Sequence, residues 1–234
     1  MQSSYAFVGL SMSADVGTLL SQTALFHDLP PAALRAVVGE CVRRTFLKGT
    51  VLFHKGETDR TLYLIASGRV RIYLPGESGR EVTLTICGPG EAIGELAMLD
   101  GLPRSASSQA LDDVLAYSLH HEAFTRILNA SPLAGAVIRV LAARLRHASG
   151  NVESLALFDV HGRLAQRLLE LADRYGHGEE IDLDLSQTDL ASLVGASRES
   201  VNKALASFRK QGLIELKRQR IFIRKPDALR RRAQ

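Results

Sequence analysis

The chain has no tryptophan and only two cysteines in 234 residues. Cys41 and Cys87 stand far apart and form no CxxC. That excludes an all-cysteine iron–sulfur site and points to free thiols in a cytoplasmic protein. No run of about 18 uncharged apolar residues occurs, which excludes a membrane-spanning helix. The first residues, MQSSYAFVGLSMSADVG, contain no basic residue and make a poor signal peptide. Residues 1–19 are therefore expected to form a loose, flexible tail. Catalytic signatures are also missing: there is no HExxH, no nucleophile elbow and no Cys–His pair in a plausible setting. An enzyme is not expected. His120-His121 ends a strand pattern and reads as surface rather than as a metal site, so no metal is expected.

What is present begins with apolar content of 46%, ample for packed cores in one large or two ordinary domains. The net charge of +4 is unevenly placed. Residues 1–159 carry 14 Lys and Arg against 15 Asp and Glu, a net of −1, whereas residues 160–234 carry 15 against 10, a net of +5. A basic C-terminal third is the electrostatic footprint of a nucleic-acid-binding domain.

One stretch organises the rest. Ser131 suits a helix cap and Pro132 its first position. Apolar residues then recur at Ala134, Ile138, Leu141, Leu145, Ala148, Val152 and Leu155, spaced 4, 3, 4, 3, 4, 3. That 3.5-residue period is the seam of a helix paired with another helix. The expectation is a dimerisation helix over 131–158, a rod of roughly 40 Å.

Ahead of it, Leu25 to Arg43 reads as a helical lead-in with Pro30-Pro31 at its start. Short β-type runs follow at Thr50–His54, Leu62–Ala66, Val70–Leu74, Val82–Cys87, Ser105–Ala110 and Val114–Leu119, separated by glycine-containing turns. Many short strands of this spacing indicate a small antiparallel barrel or sandwich over 20–130. Within it, Ala92 to Ser108 breaks the alternation. Gly94 permits a tight backbone and Glu95 to Leu99 a single helical turn, whose N–H groups attract anions. Arg104 offers a planar charged fork suited to phosphate oxygens, with Ser105 beside it. Glu95 would repel a phosphate, so its chemistry suits ribose hydroxyls; equally, Glu95 and Arg104 could form a partly buried ion pair. Gly88-Pro-Gly90-Glu-Ala-Ile-Gly94 is similar to a dinucleotide fingerprint, but its last glycine is one residue late and no βαβ surrounds it.

Gly94-Glu95-Leu96-Ala97 and Arg104-Ser105-Ala106 resemble the phosphate-binding cassette of cyclic-nucleotide-binding domains. The resemblance implies a jelly-roll barrel in which Glu95 holds the ribose 2′-hydroxyl, Arg104 and Ser105 bind the cyclic phosphate, and Gly94, Leu96, Ala97 and Ala106 shape the backbone.

After the long helix, Asp159 suits the cap of a helix running to about Tyr175. Gly176-His-Gly178 breaks the chain and Ile181–Leu185 alternates like a strand. Ser186 then starts a helix with Asp189 in capping-box position. Ala191, Gly195 four residues later and Val201 six after that have the spacing of a helix-turn-helix. Ser197 caps the second helix. Its outer face carries Arg198, Glu199, Asn202 and Lys203. Arg198 suits guanine O6 and N7, Glu199 suits cytosine N4, and Lys203 suits a guanine or a phosphate. Ser186, Gln187, Ser197 and Ser200 suit phosphates. Leu213–Leu216 and Ile221–Ile223 read as a hairpin with Lys217, Arg218 and Arg220 at its tip, a basic wing.

Barrel, pairing helix and winged helix-turn-helix (159–234) together give an α+β chain that resembles the cyclic AMP receptor protein/fumarate–nitrate regulator family of bacterial transcription factors. The segment Gly195-Ala-Ser-Arg-Glu-Ser-Val-Asn-Lys203 is closest to the cyclic AMP receptor branch. The resemblance implies a homodimer on double-stranded DNA at a palindrome with GTGA-like half-sites, a cyclic nucleotide effector, foremost cyclic AMP, and RNA polymerase as a further partner. In that branch the long helices bring a threonine and a serine to the base. Here Ala148 falls at the threonine and Ser149 at the serine, with Arg144 near the phosphate. One base contact is thus missing, which leaves cyclic GMP, another nucleotide, or ligand-independent DNA binding as alternatives.

Overall fold

The structure is a computed structural model that describes residues 12–76, 79–130, 134–177, 180–181, 185–217 and 220–233. The chain groups into two compact units. One comprises residues up to 70 together with 87–143. The other comprises 71–86 together with residues from 144 on.

In chain order the elements are α1 (Met12–Gln22), α2 (Pro31–Glu40), β1 (Val42–Phe46), β2 (Val51–Phe53), β3 (Leu62–Ser67), β4 (Val70–Pro75), β5 (Glu81–Cys87) and β6 (Ala92–Ile93). They continue with α3 (Glu95–Asp100), β7 (Ser107–Ala110), β8 (Val114–Leu119), α4 (His121–Ala130) and the long α5 (Ala134–Leu157). The last third holds α6 (Val160–Tyr175), β9 (Gly176–His177), β10 (Glu180–Ile181), α7 (Gln187–Val194), α8 (Arg198–Lys210), β11 (Ile214–Lys217), β12 (Arg220–Ile223) and α9 (Pro226–Arg230). The α+β class read from the sequence is the class observed.

In the first unit, one antiparallel sheet has the order β1-β8-β3-β6, with Val42 opposite Ser118 and Tyr63 opposite both Ser118 and Ile93. Separately, β2 pairs with β7, Val51 facing Gln109. Helices cover the first sheet. Leu62, Leu64, Tyr117 and Leu119 from its strands bury against Leu20, Phe26, Val37 and Phe124, and Phe26 meets Phe124 edge-on at 6.4 Å.

Three features depart from expectation. The tail expected over 1–19 is helical from Met12, with Val16 and Leu20 inside this core. Two apolar residues one helical turn apart, on a side that meets α2 and β3, are enough to dock it. The lead-in helix ends at Glu40, and Val42–Phe46 is a strand instead. Its Arg43-Arg44 pair hides the alternation, because as an outer strand β1 leaves four of its five residues exposed. Finally, α4 follows β8 directly, so His121 opens a helix rather than ending a strand.

The long helix spans 24 residues, about 36 Å. The expected cap Ser131-Pro132 lies outside the described residues. Ala136 and Val137 bury into the first unit's core. The seam behaves differently: Ile138, Leu145, Val152 and Leu155 are 66%, 69%, 66% and 52% exposed, and Ala134 and Ala148 are exposed with them. Leu141 is half-buried. Six of the seven seam positions are thus left open by their own chain.

In the second unit, the Asp159 carboxylate caps α6, accepting from Gly162 N at 2.8 Å. Leu164, Leu168 and Leu171 of α6 are buried, as are Leu190, Val201, Leu205 and Phe208 of α7 and α8, the two helices that α6 meets. A small sheet, β11-β12-β10-β9, follows. Of the expected strand 181–185, residues 182–184 lie outside the described residues, as does Arg218 at the wing's tip. No helix among the described residues is long and apolar enough to cross a membrane.

Candidate functional site

Gly94 and Arg104, at the two ends of the expected cassette, lie side by side. Gly94 adopts φ 82°, ψ 12°, the left-handed conformation that glycine tolerates, and so turns the chain from β6 into α3. A Cβ here would strike Arg104 Nη1 and sit 2.9 Å from the Thr61 carbonyl. That closeness is the signature of the site: the glycine is small because a guanidinium fills the space beside it.

Arg104 is 3% exposed, an unusual place for a permanent charge. Its Nη1 donates to the Gly94 carbonyl at 2.8 Å. Its Nη2 donates to Thr61 O at 2.6 Å and to the Asp59 carboxylate at 2.7 Å. The guanidinium stacks 4.2 Å from the Phe53 ring centroid. Two backbone bonds of 2.8 Å, Arg104 N to Glu57 O and Gly56 N to Arg104 O, tie its main chain to the same loop. Its Nε is buried and has no hydrogen-bond partner among the described residues. Three hydrogen bonds hold the guanidinium within the protein, and the buried Nε is a donor left over.

Sequence reading missed Asp59, Thr61 and Phe53. The signal was there: Asp59-Arg60-Thr61 is an Asx-type turn, in which the Asp59 carboxylate accepts from Thr61 N at 3.3 Å and Thr61 Oγ1 at 2.8 Å. Partial burial would raise the Asp59 carboxyl, but the hydrogen bonds from Thr61 and Arg104 and the Arg104 charge outweigh it and hold it below the usual carboxylate range. The carboxylate that meets Arg104 is thus Asp59, from a loop 45 residues upstream.

Glu95 opens α3 and is 4% exposed, while Leu96 and Ser105 are exposed and Ala97 and Ala106 are buried. Gly94 to Ala97 and Arg104 to Ala106 are therefore brought together in the first unit. Arg144 and Ser149 belong to the second. Ser149 is exposed on α5, its hydroxyl bonded back to Leu145 O at 3.0 Å, and Ala148 beside it is exposed.

The helix-turn-helix has the geometry that its spacing foretold. Ser186 and Asp189 complete a reciprocal capping box on α7, Gly195 takes the left-handed conformation at φ 64°, and Val201 is fully buried between the helices. Ser197 caps α8, accepting from Ser200 N at 3.2 Å. Arg198, Glu199 and Lys203 project from its exposed face in the first two turns. Gln187 lies near them, its Oε1 accepting from Arg198 Nε at 3.4 Å. Five assigned residues are less free than expected. The hydroxyls of Ser186, Ser197 and Ser200 are engaged in the two caps. Asn202 is half-buried, with its Oδ1 turned inward. On the wing, Lys217 is paired with Glu215 at 2.8 Å. Hydrogen bonds from Lys217, then Arg224, hold that carboxyl low.

The comparisons agree with this geometry. Residues 43–131 match the family model of the cyclic nucleotide-binding domain, and residues 162–232 match that of the Crp-like helix-turn-helix domain. The chain is 38% identical over 220 residues to a CRP-like cAMP-activated global transcriptional regulator of Mycobacterium tuberculosis, covering 92% of this chain and 98% of that one. It is 35% identical over 193 residues to the cyclic AMP receptor protein of Thermus thermophilus, covering 82% and 88%. Among solved structures, FixK2 from Bradyrhizobium japonicum superposes with a TM-score of 0.77 at 21% identity, covering 83% of this chain and 98% of that one, a likeness of fold.

Proposed function

The chain belongs to the cyclic AMP receptor protein/fumarate–nitrate regulator family of DNA-binding transcription regulators, and we propose that it is a cyclic AMP-responsive homodimer acting in the cytoplasm on palindromic GTGA-type sites. Its relatives are regulators rather than enzymes. The observation that carries the reading is Arg104, whose buried charge is fixed in place with Nε unfilled. A cyclic phosphate supplies the missing acceptor. Ser105 adds a hydroxyl to the phosphate, and Glu95 accepts from the ribose 2′-hydroxyl. Arg144 and Ser149 keep the phosphate-side and base-side roles that the family resemblance implies.

The seam Ala134, Ile138, Leu141, Leu145, Ala148, Val152 and Leu155 joins two copies along α5. Each copy presents one α8 to a major groove, so the two-fold axis of the protein matches a palindrome with half-sites about one helical turn apart. Arg198, Glu199 and Lys203 read base edges, while Ser186, Gln187, Ser197, Ser200, Asn202 and Lys217 hold the backbone. RNA polymerase is the further partner of the bound dimer.

A second reading is favoured by Ala148. It presents a methyl where a base-contacting hydroxyl is expected, which supports a different effector, such as cyclic GMP, or none. One titration separates the two. A palindromic GTGA-type duplex is followed by fluorescence anisotropy at fixed salt, with and without cyclic AMP or cyclic GMP. Tightening of tenfold or more by cyclic AMP, about 1.4 kcal/mol of coupling, is the expected result. Sequence-specific binding that neither nucleotide changes would retain the DNA assignment and remove the effector.

A further inference from the structure

The register of β3 on β8 brings two polar residues together beside the cassette. Leu62 faces Leu119 in that ladder, so the next pair outward is Thr61 and His120. Thr61 is 4% exposed, whereas His120 is exposed and immediately precedes α4. Thr61 Oγ1 and His120 Nδ1 lie 3.2 Å apart.

Thr61 is central to the cradle that holds Arg104. Its carbonyl accepts from Arg104 Nη2 at 2.6 Å, its N–H donates to Asp59 Oδ2 at 3.3 Å, and its hydroxyl meets Asp59 Oδ1 at 2.8 Å. Asp59 Oδ2 in turn accepts from Arg104 Nη2 at 2.7 Å. The same turn is pinned at Arg60, whose Nη2 donates to Gly101 O at 3.0 Å, just past α3.

Proton counting gives these contacts a direction. The Asp59 carboxyl is held low, so it is charged and can only accept. The one proton between Asp59 and Thr61 is therefore that of the Thr61 hydroxyl. Having given it, Thr61 Oγ1 can only accept from the His120 ring, so Nδ1 of His120 carries a proton. The chain runs from His120 Nδ1–H to the Thr61 hydroxyl to the Asp59 carboxylate, which receives Arg104. Each bond in such a chain polarises the next.

We propose that His120 is a positioning residue of the effector site: by donating to Thr61 it keeps the Thr61 hydroxyl turned to Asp59, and so keeps the Asp59 carboxylate aimed at Arg104. The role rests on the effector-responsive reading above, in which Arg104 binds the cyclic phosphate; His120 itself touches no ligand. Asp59 needs this support because its side chain is 47% exposed and water competes for its oxygens. Without the ring, Arg104 keeps its two carbonyls and its carboxylate partner is less firmly placed.

The test uses the full-length protein and two readouts. Nitrogen-15 spectra of the neutral histidine rings, with the His120 signals identified by their loss in His120→Asn, should show the proton on Nδ1. A proton on Nε2 overturns the chain of bonds. Isothermal titration with cyclic AMP then reads the site. His120→Ala should bind about fivefold more weakly, the weight of one hydrogen bond. His120→Asn keeps a donor in place of Nδ1 and should stay within about twofold of the wild type, while His120→Asp has no proton to give and should bind as weakly as His120→Ala. Asn and Asp serve equally well ahead of a helix, so equal affinities for these two variants would place His120 in the start of α4 alone and overturn the proposal. In a Thr61→Val background, where the acceptor is gone, His120→Ala should weaken binding no further; a second loss there also overturns it. Wild-type affinity in His120→Ala removes the role of His120 and leaves the effector reading standing. A wild type that binds neither cyclic AMP nor cyclic GMP removes the effector reading, and the role of His120 with it.

Discussion

The proposed phosphate cassette and the proposed recognition helix each carry an arginine assigned to an anion, and they hold it in opposite ways. Arg104 is buried, held by two carbonyls and a carboxylate and stacked on a ring. Arg198 is exposed on a helix whose own stability comes from the other face, through Val201, Ala204, Leu205 and Phe208. The first arginine is part of the fold, so its orientation is set before any ligand arrives and little ordering remains to be done on binding. The second is free to adjust to a groove. Fold and function are therefore coupled at one site and separable at the other.

The sharpest way to break the comparison is Arg104→Ala. It removes both the proposed phosphate ligand and the donors of Gly94 O and Thr61 O. We expect nucleotide binding to be lost, by at least a hundredfold in isothermal titration. We also expect melting to fall by several degrees, as about 1–3 kcal/mol of buried acceptor satisfaction disappears. The variant should remain a dimer, because the seam lies elsewhere. Normal nucleotide affinity in this variant would remove the cassette assignment.

Arg198→Ala should behave in the opposite sense. Specific DNA affinity should fall by about 1–3 kcal/mol with relaxed discrimination at one base pair, measured against a panel of half-site variants. The melting temperature should stay within about a degree, as for any exposed side chain away from a cap hydrogen bond. A large loss of stability would show that Arg198 belongs to the fold after all.

Gly150→Ala probes the helix that runs through both units. The helix is continuous through Gly150, and an added Cβ there meets nothing within 4 Å. The substitution gains up to about 1 kcal/mol of helix propensity. If effector binding works by ordering this end of α5, effector-free DNA affinity rises, by about fivefold at most. Unchanged or weaker affinity in a folded protein would count against that mechanism.

Much of this was legible in the sequence because local chemistry and tertiary structure agree. Ser186 with Asp189, Ser197, Gly195 and Val201 each adopt the role that their spacing implies, since caps and turns are set by neighbours a few residues away. The long helix and its apolar stripe were legible because the period repeats over seven positions. The misses share the opposite property. β1 is a strand because β8 pairs with it, and its own Arg43-Arg44 says otherwise. α1 is ordered because Val16 and Leu20 find a core formed by residues far along the chain. Asp59 meets Arg104 only because folding brings it there, across 45 positions. Thr83 likewise meets Ser192 across 109 residues, a pairing no local pattern announces.

Asp59 makes the smallest prediction and the finest test of the comparison, because it belongs to the buried site yet its side chain is 47% exposed. Exposure should make it resemble Arg198 in energetic weight. Its carboxyl is held below its ordinary value, so the folded state favours the charged form. The stability it contributes is then present above the ordinary carboxylate value and lost as pH falls through the lower folded value. Asp59→Asn keeps the shape and removes the charge. Thermal melts of the two proteins from pH 6 to pH 3 should show a wild-type advantage of about 1–2 °C that narrows toward zero at the acid end. Solvent screens this pair, whereas Arg104's other partners are neutral carbonyls that acid does not touch. A gap that stays constant with pH would mean that the Asn amide, not the missing charge, causes the difference. A gap of many degrees would mean that the Asp59–Arg104 pair is energetically buried despite its exposed carboxylate, and that the cassette cannot be divided into a fixed arginine and an adjustable rim.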